Sequence, residues 1–169
     1  YKDRPDVQAV VHAHPPHATA LAAAGRALTE PFVAEAVVSL GPQVPLVPIS
    51  APGPAAVAVL APFVKLYDAV LVSGNGVFAW GSDLEQAYLR LELVEHLARI
   101  YLLALPVGGV KPLPAGLLPA LLESRRKAGL GPEARGVTAA APQAAAAAAN
   151  DGDRLASLIR EELAAALRR

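Results

Sequence analysis

Asp68-Ala69-Val70-Leu71-Val72-Ser73-Gly74-Asn75-Gly76-Val77-Phe78-Ala79-Trp80-Gly81 is the stretch that decides the fold. Asp68 to Ser73 is an apolar, valine-containing run of the kind that fills a buried strand. Gly74-Asn75-Gly76 is a tight turn, and Val77 to Trp80 is the returning strand. A hairpin is antiparallel by construction, so the sheet that contains it is not wholly parallel.

Outward from the hairpin, Ser82-Asp83 supplies a cap for the longest predicted helix, about Leu84 to Leu105. Leu84, Ala87, Tyr88, Leu91, Val94, Leu97, Ala98 and Tyr101 keep helical spacing along it. Upstream, Ala55 to Leu66 is helical in composition, although Pro62 should kink or split it. Val44 to Ile49 is strand-like but broken by Pro45 and Pro48, which suits an edge. Thr29-Glu30-Pro31 opens a helix to about Leu40, with Thr29 as its cap and a stop at Gly41-Pro42. Ala18 to Ala24 is an Ala-rich helix ending at Gly25, and Gln8 to His14 reads as a short buried strand stopped by Pro15-Pro16. Leu113 to Lys127 allows one more helix. Strands alternating with helices around a hairpin indicate an α/β sandwich.

Composition sets the outer bounds. The 169 residues allow one domain, or one domain plus an appendage, and a hydrophobic fraction of 54% is ample for a core. Formal net charge is zero, which gives no reason to expect a nucleic acid or an anionic membrane as partner. The absence of cysteine excludes disulfides and thiolate metal sites and fits a cytoplasmic protein. No apolar run is long enough to span a bilayer. The chain contains no methionine and starts at Tyr1, directly before the first strand, which reads as an N-terminally incomplete sequence.

From Gly129 the character changes. Gly131 to Asn150 is mostly Ala, Gly and Pro, so residues 129–150 read as a linker after a domain spanning 1–128. Residues 151–169 then read as an amphipathic helix, with Leu155, Leu158, Ile159, Leu163 and Leu167 on one face and Arg and Glu opposite.

Chemistry concentrates in Val10-Val11-His12-Ala13-His14-Pro15-Pro16-His17. Residues i and i+2 of a strand share a face, so His12 and His14 aim two imidazoles at one point, half of a typical zinc site. The alternative is a pair satisfied by backbone or water. The chain has four histidines. His17, at the start of the next helix, is a candidate for a substrate-side group. His96, in mid-helix, reads as an ordinary polar-face or partly buried helix residue.

The segment from Asp6 to Ala22, with its His12-Ala13-His14 pair, resembles the metal-binding core of the class II aldolase/adducin family. A second landmark, Leu71-Val72-Ser73-Gly74-Asn75-Gly76 followed by Val77-Phe78-Ala79-Trp80-Gly81, resembles that family's L-x-x-N-H-G and W-G pattern. The resemblance covers about residues 1 to 128. It implies a three-layer α/β/α sandwich with a mixed, largely antiparallel central sheet. It also implies a divalent cation, usually Zn2+, on His12, His14 and a third position that here falls on Asn75. An asparagine carbonyl is a harder and weaker donor for zinc than imidazole. The family's acid–base glutamate and phosphate-holding loop would precede Tyr1, so the resemblance assigns no catalytic residue here. A tyrosine that sugar aldolases bring from a neighbouring subunit has no match in Thr29-Glu30-Pro31-Phe32-Val33.

The activity implied is retro-aldol cleavage of a phosphorylated ketose of fuculose- or rhamnulose-phosphate type, through a metal-stabilised enediolate. A sugar-phosphate 4-epimerase and a non-catalytic, adducin-like binding or assembly module are the alternatives. The resemblance further implies a homotetramer. The tethered segment 153–169 resembles the encapsulation peptides that bind shell proteins of bacterial microcompartments, which would place a cytoplasmic enzyme inside such a compartment.

Overall fold

The computed structural model describes residues 1–137, and the proposed C-terminal helix lies outside them. Four strands form one sheet: β1 (Ala9–Ala13), β2 (Leu46–Val47), β3 (Ala69–Val72) and β4 (Gly76–Gly81), in the order β1-β4-β3-β2. β4 pairs antiparallel with both β1 and β3, and β2 is parallel to β3. The sheet is therefore mixed and largely antiparallel, as expected from the hairpin. Helices α1 (Pro16–Ala23), α2 (Ala34–Ser39) and α4 (Leu84–Ala104) share one face, while α3 (Pro54–Val64) takes the other. Two further helices follow, α5 (Leu118–Lys127) and α6 (Gly131–Ala134).

Strand alternation divides the core. Leu71, Val77 and Ala79 join Leu21 of α1, Leu40 near the end of α2, and Leu91, Val94 and Leu97 of α4. Val70, Val72 and Trp80 point the other way, to Val7, Val47 and Phe63 of α3. The α3 layer is thin and leaves the β1 side of its face open. Val10 is 47% exposed there, so β1 is a half-exposed edge strand rather than the buried strand expected.

Other expectations need moving. Thr29 caps nothing: Leu28 forms an isolated bridge with Val44, and the carbonyl of Pro31 accepts a hydrogen bond from the Leu113 amide. Those ties keep the chain extended, and α2 starts only at Ala34. The helix expected from Leu113 likewise begins at Leu118, because Leu113 is held by that tie. Pro62 sits inside an uninterrupted α3. Its missing N–H leaves the Ala58 carbonyl free, and Ala58 is exposed, so water can satisfy that group. Asp83 caps α4 as expected, accepting from the Gln86 amide at 2.8 Å. Leu84 and Tyr88 are exposed, however, and the stripe that α4 buries includes Arg90.

The explanation for Arg90 is a charge cluster built on Asp68, which is completely buried just before β3. Arg4 donates to Asp68 Oδ1 at 2.9 Å, Arg125 to Oδ2 at 2.5 Å and Arg135 to Oδ1 at 3.4 Å, while Arg90 stands 3.6 Å from Oδ2. Burial pushes the Asp68 carboxyl up, but Arg90, Arg125, Arg135 and the Arg4 hydrogen bond outweigh it and hold its pKa below the usual carboxylate range. The same guanidinium groups satisfy carbonyls at element ends. Arg4 reaches Val64 and Tyr67, Arg90 reaches Trp80, and Arg125 reaches Val38 and Ser39. One carboxylate thus joins the ends of α2, α3 and β4.

Arg135 belongs to the stretch expected to be linker. Contacts with the body of the domain continue past residue 129 as far as Arg135, and Gly131 is buried close to the Arg125 guanidinium.

Candidate metal centre

β1 and β3 both run against β4, so their C-terminal ends lie at the same end of the sheet. His12 is the fourth residue of β1, His14 follows the strand, and Asn75 lies in the turn after β3. Residue spacing and sheet topology therefore bring the two landmark motifs together.

The imidazoles converge. His12 Nε2 and His14 Nε2 are 3.2 Å apart, with ring centroids at 4.9 Å and planes crossed at 72°. His12 Nδ1 lies 2.9 Å from the Val77 carbonyl oxygen. A carbonyl can only accept, so Nδ1 carries the proton and Nε2 presents a lone pair when the ring is neutral. A backbone bond of this kind orients most metal-ligating histidines. Phe78, the register partner of His12, stacks on its ring at 3.9 Å and 10°, which fixes the remaining freedom. His14 Nε2–H then donates into the His12 lone pair. Moving the His14 proton to its Nδ1 makes both Nε2 atoms donors aimed at one point. A tetrahedral cation bound at about 2.0–2.1 Å to each would set them about 3.3 Å apart. The observed pair fits that requirement.

The third side is weaker. Gly76, with φ +78°, lies so close to the end of β1 that a Cβ there would stand 2.4 Å from the Ala13 carbonyl oxygen and 2.8 Å from His14 Cδ2. That close approach puts the turn holding Asn75 against His14. Asn75 is half-buried, and its amide donates to the Val72 carbonyl at 2.8 Å. Among the described residues, no aspartate, glutamate or further histidine joins the pair in a group suited to a metal ion. The donor set among the described residues is two imidazoles, with the Asn75 side chain in the adjoining turn.

His17 is engaged elsewhere. Its Nδ1 lies 2.6 Å from Glu95 Oε1, and the same carboxylate accepts from the His17 amide at 3.1 Å and the Ala18 amide at 2.8 Å. Glu95, reaching across from α4, caps α1, whose own N-cap residue is Pro15 and supplies no side-chain acceptor. Partial burial raises the Glu95 pKa, but the Ala18 amide and His17 outweigh it, so the carboxyl titrates below the usual range. His96 is exposed on α4, as expected. Phe78 and Glu95 were the parts of this region that sequence reasoning missed. Glu95 carried a signal, because it lies four residues after Leu91 on the flank of the buried stripe.

Residues 1–102 match the family model described as Class II Aldolase and Adducin N-terminal domain. The 5-deoxy-D-ribulose 1-phosphate aldolase of Bacillus thuringiensis serovar kurstaki is 33% identical over 116 residues, 68% of this chain and 53% of that protein. The chain thus spans about half the length of the curated relative it matches. Among solved structures, an L-fuculose 1-phosphate aldolase superposes with a TM-score of 0.66 at 27% identity, covering 73% of this chain and 57% of its own. The L-fuculose-1-phosphate aldolase from Thermus thermophilus gives 0.56 at 27% identity, with coverages of 67% and 61%.

Proposed function

Because the chain belongs to the class II aldolase and adducin family, we propose that it is the metal-holding part of a lyase that cleaves a phosphorylated ketose. The observation that carries the reading is the 3.2 Å convergence of two Nε2 atoms, one of them oriented by the Val77 carbonyl. His12 and His14 would hold a divalent cation, zinc first among the candidates, with the Asn75 carbonyl as a weak third donor. When bound, such an ion supplies Lewis-acid stabilisation of the negative charge that develops on oxygen as a carbon–carbon bond breaks. The chain's own residues orient and shield. Phe78 and the Val77 carbonyl lock the His12 ring, Gly76 seats the turn on His14, and Glu95 fixes the start of α1 beside the pair. The sugar-phosphate substrates named for the relatives support a ketose phosphate as the substrate class.

The assembly around this domain is proposed as a homotetramer in the cytoplasm, with residues 151–169 as a tethered helix that addresses a microcompartment shell. Among the described residues no helix is long and apolar enough to cross a membrane. Removing residues 138–169, which spares Arg135, is expected to abolish co-sedimentation with shells; unchanged co-sedimentation would sink the address.

Metal analysis after purification and reconstitution tests the enzymatic reading. Near-stoichiometric zinc, cobalt or manganese is expected, and none bound would rule out both aldolase and 4-epimerase. Among the described residues no third imidazole or carboxylate joins the pair, which favours one second reading, a metal-free adducin-like assembly module. With metal bound, release of an aldehyde from ketose phosphates separates cleavage from epimerisation.

A further inference from the structure

Pro54–Val64 contains no charged or polar side chain, yet about half of the residues of α3 are exposed. Only Phe63 is buried in it, with Val59, Leu60 and Val64 packed partly against the sheet. Ala55, Val57, Ala58 and Pro62 face outward, Val57 is 67% exposed, and Ile49 in the preceding loop is 62% exposed. A helix that is apolar all round is ordinarily covered on every side.

The chain leaves the described domain at this helix. Arg135 Nη2 donates to the carbonyl of Lys65, the residue that ends α3, at 3.2 Å, and its Nη1 is held by Asp68. The downstream sequence holds Leu155, Leu158, Ile159, Leu163 and Leu167 at helical spacing. We propose that segment 155–167 docks as a helix across the outer face of α3 in its own chain.

The dimensions suit this occupant. The stripe from 155 to 167 is about 18 Å long as a helix, and α3 is about 16 Å. Nineteen residues lie between Arg135 and Leu155, and a chain of that length can bridge up to about 60 Å, so the segment can reach all of α3 from its anchor at Arg135. A tether of that length holds the segment at about millimolar effective concentration, which favours its own α3 over that of a second copy. The small side chains of Ala55 and Ala58 admit a close approach. The uncharged surface of α3 leaves Arg160, Glu161 and Glu162 free to stay in water. Isolated, a helix of this length is marginal in water, and docking would complete it. The docking does not depend on the shell reading; a shell protein taking the same stripe would compete with α3.

The cysteine-free chain makes the test direct. In the full-length protein, Val57→Cys is paired with Ile159→Cys, and separately Ala58→Cys with Ile159→Cys. The control pairs Glu92→Cys, exposed on α4 at the other face of the sheet, with Ile159→Cys. Under mild oxidation at least one α3 pair is expected to close within a single chain about tenfold faster than the control. In parallel, α3 amides should exchange about tenfold faster when residues 151–169 are removed. Equal cross-linking rates with unchanged exchange would overturn the proposal. Cross-links mainly between chains would overturn it too, and would assign the face to a second copy.

Discussion

The two ends of the sheet handle charge in opposite ways. At one end His12 and His14 are exposed, lie two residues apart in sequence and touch little besides Phe78 and the Val77 carbonyl. At the other, Asp68 is wholly buried and gathers arginines from positions 4, 90, 125 and 135. Strand ends open to solvent can be altered without unfolding the domain, so chemistry is affordable there. A buried carboxylate that closes contacts between distant segments serves cohesion.

The contrast can be broken by substitution. Asp68→Ala leaves four guanidinium groups without their shared acceptor and should cost about 3–5 kcal/mol in urea unfolding. The folded protein should still bind metal. A cost below about 1 kcal/mol would mean that the cluster is dispensable and that the two ends do not differ as described. His12→Ala should do the reverse: metal affinity falls by more than about 100-fold in a chelator competition, with unfolding shifted little because the ring is exposed. If His12→Ala unfolds the protein instead, the histidine end is structural.

Asn75→His sharpens the comparison further. An added imidazole in the turn beside His14 should tighten zinc about tenfold or more; an unchanged affinity would place position 75 outside the ion's reach. The smallest effect expected is at Glu95. Glu95→Gln should cost about 1 kcal/mol at neutral pH through the weakened cap on α1. The carboxyl titrates below its ordinary value in the folded state, so its contribution is fully present above the unfolded value of about 4.3 and fades as pH falls through the lower, folded value. The gap between wild type and Glu95→Gln should close on acidification in equilibrium unfolding, and a gap that widens would reverse the sign of this reading.

The histidine end was legible in sequence because it is local. Period-two alternation put His12 and His14 on one face, and the turn at Gly74-Asn75-Gly76 reversed the chain so that β4 pairs with both β1 and β3. The Asp68 end was not legible. Its partners lie up to 67 residues away, and no local pattern pairs an arginine with a carboxylate at that separation. One trace existed, since Arg90 falls between Ala87 and Leu91 on the buried stripe of α4, where a lone arginine demands a partner. The displaced starts of α2 and α5 share a cause: the tie between Pro31 and Leu113 overrides local capping and helix propensity. Thr29 is a sound cap in isolation, but Leu28 bridges Val44 and the helix starts only at Ala34.

The close packing of Gly76 on Ala13 and His14 also constrains how this site can change over generations. Any side chain at 76 would collide with the neighbouring strand, so the turn cannot acquire a donor there. Position 75 is the open one, and the codons for asparagine and histidine differ by a single base. A chain with this turn therefore lies one point mutation from a third imidazole at that position, and a chain with the imidazole lies one point mutation from losing it.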